Sequence, residues 1–252
     1  MRLPDSSRRL VVDTNVARSA SESQHPISDA CRQVLKTIIA KQHQVVLTAT
    51  QEAEWQKHKS PFTRGWLVQM ASKKLWYPIK PEPDSGLTDL VYALECTPNV
   101  RKDLLKDVHL LENALATDEV VLSQETNVLG LFCKHAHALQ IPRRVAWVNP
   151  VADIAACVAW LEAGAVVATA SQVVPAAAEV VVVRLLFRPG LGDDVRNAPL
   201  HPSQQVLRET REGLEVALWS QLDLALEALV RRFGNAVEVL EPVELEARVK
   251  AR

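Results

Sequence analysis

The chain has little that would tie it to an oxidised or membrane setting. Its four cysteines, Cys31, Cys96, Cys133 and Cys157, are scattered over 252 residues, with no CxxC pair and no Cys/His cluster at zinc-finger spacing. That distribution argues against a disulfide framework or a structural zinc site. No apolar run reaches the ~20 residues of a bilayer crossing; the longest, 155–170, is interrupted by Glu162 and Gly164. The first twelve residues lack the apolar stretch of a signal peptide. A reducing, cytoplasmic protein with no membrane association is expected. Only 8 residues are Gly, which excludes a collagen-like chain. An excess of positive charge is also missing: 29 Lys+Arg against 30 Asp+Glu leave a net charge of −1, too little for wholesale coating of nucleic acid.

What is present is a globular composition, 48% hydrophobic and 23% charged, in a chain long enough for one large domain or two small ones. The balanced charge conceals an asymmetry. Up to Pro150 there are 19 Lys+Arg and 16 Asp+Glu; after it, 10 and 14. Ten of the eleven lysines precede Pro150, and Ala and Val dominate 151–183. The break predicts a domain over 1–150, a helix and Ala/Val-rich linker over 151–178, and a second domain over 179–252.

In the first half, short apolar runs at 10–12, 45–48, 120–122 and 144–148 read as strands. Helical periodicity appears at 30–40, 49–59, 61–74 and 107–116. Short all-apolar strands alternating with helices predict a parallel sheet covered on both faces, an α/β fold. From 180 onward the pattern predicts β-α-β-β-α-β and a last helix, the ferredoxin-like order of an α+β domain.

Acids fall at or just beyond the strand ends, where an open α/β sheet places its crevice. Asp13 follows the first strand, Glu54 lies shortly after the second, Asp107 opens the helix before the third, and Glu125 follows that strand in Ser123-Gln124-Glu125. Carboxylates converging on one edge repel each other, and a hard cation such as Mg2+ or Mn2+ relieves that repulsion through oxygen coordination. A metal so held activates water and steadies a leaving oxygen, which suits phosphodiester hydrolysis. Thr14, Asn15 and Ser123 are candidates to orient the acids. Taken singly, Asp13 and Asp107 also read as helix caps and Glu54 as a solvated helix charge.

The segments Leu-Val-Val-Asp13-Thr14-Asn15-Val16, Thr-Ala-Thr-Gln-Glu-Ala-Glu54-Trp and Asp107-Val-His109-Leu-Leu-Glu-Asn-Ala114-Leu115, leading to Val-Val-Leu-Ser123-Gln-Glu125, resemble PIN-domain ribonucleases, including their toxin-like members. The resemblance spans the first half. It implies a three-layer α/β/α sheet and cleavage of single-stranded RNA with Mg2+ or Mn2+ held by Asp13, Glu54, Asp107 and Glu125. Glu125 stands where the family has Asp in a Thr/Ser-x-Asp pattern; Asp118 is its rival, and Glu52 is the rival of Glu54. The resemblance also implies an antitoxin-like or regulatory protein partner and a homodimer. The alternative is a degenerate PIN fold that binds RNA or protein without cutting.

Lys57, Lys59, Arg64, Lys73 and Lys74, interleaved with Trp55, Phe62, Trp66 and Trp76, fit attraction of phosphate and stacking of single-stranded bases. They also read as a solvated helix face over a Trp-containing core. His109, two residues past Asp107, lies off that acid's helix face and reads as a local or packing residue.

In the second half, Val-Val-Arg184-Leu-Leu-Phe187, His201-Pro202-Ser203-Gln204, Leu214-Glu-Val-Ala-Leu218 and Phe233-Gly234-Asn-Ala-Val-Glu-Val-Leu-Glu-Pro242 resemble the C-terminal extension of WYL-domain regulators. Neither the Trp-Tyr-Leu module nor a winged helix accompanies them. The acidic balance here predicts a regulatory or protein-contact domain. Arg184 and His201 read as an outward strand residue and a turn residue in preference to an anion pocket.

Overall fold

A computed structural model describes residues 4–58 and 60–250. The chain divides into two compact units, 1–126 with 143–174 and 127–142 with 175–252. In chain order come β1 (Arg9–Val12), α1 (Thr14–Ser19), α2 (Pro26–Ala40), β2 (Gln44–Leu47), α3 (Ala49–His58), α4 (Pro61–Ser72), β3 (Trp76–Pro78), α5 (Leu87–Ala93), α6 (Pro98–Leu115) and β4 (Val120–Leu122). Next is α7 (Thr126–His135), which belongs to the second unit from its second residue on. The first unit resumes with β5 (Val145–Val148), α8 (Ile154–Glu162) and β6 (Val173–Val174).

The first sheet has the order β3-β2-β1-β4-β5-β6 and is parallel except for the β5–β6 pair. Leu10, Val11 and Val12 are each fully buried, the mark of a strand covered on both faces. Leu10 and Val12 share a core with residues of α1, α2, α4 and α8, while α6 packs against β1, β4 and β5. Because the order runs outward from β1 on one side and from β4 on the other, the strand order reverses between them. A parallel α/β sheet opens its crevice at such a reversal, beyond the carboxyl ends of the strands.

Three features differ from the sequence reading. The helical segment expected over 107–116 is part of an 18-residue helix whose cap is Thr97, accepting from Val100 N with Pro98 in the first turn, so Asp107 lies in mid-helix and caps nothing. Trp76–Pro78, which has no strand periodicity of its own, becomes an edge strand through pairing with β2. Within the expected linker, Val173 and Val174 pair with Ala146 and Val145 and join the first sheet.

The second unit continues with β7 (Val181–Phe187), α9 (Gly192–Asn197), β8 (Gln205–Thr210), β9 (Gly213–Ser220), α10 (Leu224–Arg231), β10 (Val237–Glu241) and α11 (Val243–Lys250). Its antiparallel sheet has the order β10-β7-β9-β8, which with this connectivity is the ferredoxin-like arrangement. Period-two alternation turns Val183, Leu185 and Phe187 of β7, and Leu214, Val216 and Leu218 of β9, onto the core that α10 and α11 complete. Helix α7 belongs here: Lys134 Nζ lies 5.1 Å from the Trp219 ring centre and donates to Gln205 Oε1 at 3.0 Å. Among the described residues no helix is long and apolar enough to cross a membrane.

Candidate functional site

The reversal between β1 and β4 places Asp13 and Ser123 on neighbouring strand ends, joined by the backbone bond from Asp13 N to Leu122 O at 2.9 Å. Asp13 caps α1 by accepting from Asn15 N at 3.1 Å through Oδ1, and it accepts from Ser123 Oγ at 2.6 Å through Oδ2. Capping and site placement are thus two roles of one residue. Asn15 fastens the segment after β4: its Oδ1 accepts from Gln124 N at 3.2 Å and its Nδ2 donates to Ser123 Oγ at 3.3 Å. Ser123 Oγ also accepts from Glu125 N at 3.0 Å. Thr14 Oγ1 donates to Glu54 Oε2 at 3.2 Å, so the three predicted orienting residues each bond a predicted acid.

Asp107 enters from α6 and is 5% exposed; Asp13 is 8% exposed. Burial pushes the Asp107 carboxyl up to about 7, and the negative charges of Asp13, Glu125 and Glu54 push the same way, while Lys106 opposes them. Asp13 is also raised, first by burial and then by Glu125, against the lowering bonds from Ser123 and Asn15. Acids brought from three other elements therefore act electrostatically on Asp107. The rivals differ: Glu54, not Glu52, accepts from Thr14. Asp118 precedes β4 at the opposite end of the sheet and is bound to Arg9, whose backbone N and Nη2 donate at 2.7 and 2.6 Å.

Two residues escaped the sequence reading. Lys106 Nζ lies 3.3 Å from Glu125 Oε1 and 3.8 Å from Asp107 Oδ2. The Thr97-Pro98 start signal would have placed it inside a helix and one residue from the site acid. The second is Gln51, buried, whose Oε1 accepts from Asn113 Nδ2 at 3.2 Å and whose Nε2 has no partner. His109 is half-buried; its charge would favour the Asp13 carboxylate, and its Nε2 is buried without a partner.

In donor chemistry the acids suit a hard divalent cation: they are oxygen donors, and in the two buried ones, Asp13 and Asp107, burial and neighbouring negative charge disfavour the charged form. Among the described residues, however, no three His, Cys, Asp or Glu side chains are gathered in the manner of a metal centre.

The basic candidates separate. Lys57 lies three residues beyond Glu54 on the same side of α3, and Arg64 is exposed in the first turn of α4. Lys73 and Lys74 follow α4 and precede β3, which puts them at the end of the sheet away from the acids. Lys59 lies outside the described residues. Trp55 and Trp66 are core residues with ring centres 6.0 Å apart, and Trp66 Nε1 donates to Leu35 O; neither ring is open to a base.

In the second unit, Arg184 is held by Glu215 and Glu241. Burial lowers His201 to about 4, and its Nδ1 engages Ser203. Both agree with the structural reading of these residues.

No curated protein and no solved structure matches the chain. Residues 179–252 match the model of the WCX domain family, the extension associated with WYL domains, and so cover the whole ferredoxin-like sheet. The second sheet is thereby similar to a WCX domain.

Proposed function

We propose that the first unit is a metal-dependent endoribonuclease of PIN type acting on single-stranded RNA, with the WCX-like unit as a regulatory or protein-contact domain. The observation that carries the reading is the placement of Asp13 and Glu125 at the reversal of a parallel sheet, where both, with Glu54, bear on the buried Asp107. These four would hold Mg2+ or Mn2+, which when bound supplies Lewis acidity toward the phosphate and an activated water. Ser123 and Asn15 hold Asp13 in one orientation, and Thr14 does the same for Glu54. Lys57 and Arg64 draw the phosphate backbone toward this edge. An antitoxin-like protein would act by covering the acidic edge, and a homodimer fits the PIN resemblance.

The specific observation that favours the degenerate, RNA-binding reading is the ammonium of Lys106 among the acids. Incubating a mixed single-stranded RNA pool with the full chain in Mn2+, Mg2+ or EDTA, beside the Asp13→Asn variant, separates the two. Cleavage that needs metal and disappears in the variant supports the nuclease. RNA binding without cleavage under every condition supports the binding module.

A further inference from the structure

We infer that Lys106 is a tethered cation that competes with a divalent metal for Asp107 and Glu125, and so sets the metal concentration at which the site fills. The inference rests on the metal-site reading above and adds a regulating residue to it.

Lys106 and Asp107 are consecutive on α6, so their side chains leave the helix about 100° apart. The long Lys106 stem nevertheless brings its ammonium to 3.8 Å from Asp107 Oδ2 and across to 3.3 Å from Glu125 Oε1, beyond β4. The ammonium is thus shared between acids from two elements that no backbone ladder joins.

A divalent ion on these carboxylates would use oxygens that Lys106 now contacts, and it would repel the ammonium. The two cations exclude each other. Lys106 is also free to leave: its side chain is 63% exposed and has a flexible four-carbon stem.

The test is Mn2+ binding to the full chain, read from the electron paramagnetic resonance signal of free Mn2+ at fixed ionic strength. Wild type is compared with Lys106→Gln, Lys106→Met and Lys106→Arg, and Asp13→Asn serves to show that the ion counted is the one at the acidic edge. The two neutral variants should bind Mn2+ about three- to tenfold more tightly, the scale of one or two partly exposed ion pairs. Lys106→Arg should stay within about twofold of wild type, because it keeps the charge. Equal or weaker binding by both neutral variants overturns the role of Lys106 and leaves the metal-site reading standing. Absence of Asp13-dependent Mn2+ binding in every form overturns both. Because the residue is exposed, all three variants should keep the wild-type circular dichroism spectrum, which confirms that affinity and not folding is compared.

Discussion

Ser123 Oγ donates a 2.6 Å hydrogen bond to Oδ2 of Asp13 and so ties the end of β4 to the end of β1. The same oxygen accepts from Glu125 N and Asn15 Nδ2. One buried hydroxyl therefore links two candidate acids and the turn that caps α1.

Ser123→Ala leaves the buried Asp13 carboxylate short of a donor. The expected cost is about 1–2 kcal/mol of stability, with Mn2+ affinity down by about 10–100-fold, as for loss of a group that orients a ligand. Urea unfolding and Mn2+ titration check the two effects. Unchanged values in both would remove Ser123 from the site.

Asp13→Asn separates capping from chemistry. Asn caps a helix about as well as Asp, so the melting temperature should move by no more than a few degrees. A neutral amide is a poorer ligand for Mg2+ than a carboxylate, and metal-dependent RNA cleavage should fall by about a hundredfold or more.

Burial raises Asp107 from its ordinary carboxylate range to about 7. The folded chain then binds a proton that the unfolded chain has released, so stability is highest below pH ~4 for this group and is lost as pH rises through 7. Asp107→Asn should therefore raise the melting temperature of metal-free protein more at pH 8 than at pH 4. Added Mn2+ should raise it at pH 8 in wild type and much less in the variant. Calorimetry at the two pH values decides, and an equal gain at both would contradict the assignment.

Position on the sheet separates the basic residues. Lys57→Ala combined with Arg64→Ala should weaken binding of single-stranded RNA and lower the salt dependence by about 0.7 per lost phosphate contact. Lys73→Ala with Lys74→Ala should leave binding within about twofold, since both sit at the far end of the strands. Fluorescence anisotropy over a salt series tests both pairs, and the reverse ranking would move the RNA path.

Gly130 offers a test of where α7 belongs. In an isolated helix Gly→Ala stabilises by about 1 kcal/mol. Here a Cβ would lie 2.1 Å from the backbone oxygen of Pro202, and overpacking against backbone costs about 1–3 kcal/mol or more. Gly130→Ala should lower the denaturation midpoint. A higher midpoint would mean that the helix is not seated on the His201–Ser203 turn.

Local pattern carried much of this protein. The apolar runs ending at Val12, Leu47, Leu122 and Val148 were legible as buried strands because burial on both faces leaves no polar position. The second sheet was legible because apolar side chains of β7 and β9 recur at every second residue and α10 carries its own apolar stripe. Trp76–Pro78 and Val173–Val174 were not, since two or three residues hold no period and become strands only through a neighbour. Trp55 and Trp66 could not be assigned to core or surface by type, because an aromatic ring serves either.

By itself the sequence determined the alternation of strands and helices, the placing of an acid after each of three strands, and the ferredoxin-like order of the second unit. These follow from periodicity and residue type within a segment. Tertiary structure alone decided which acids meet, how deeply Asp107 is buried and where the Lys106 ammonium comes to rest. Those depend on the pairing of β1 with β4, which joins residues 110 apart, and on α6 lying across the same strands. Carboxylate energetics change over a few ångströms of separation, a distance that no local pattern encodes.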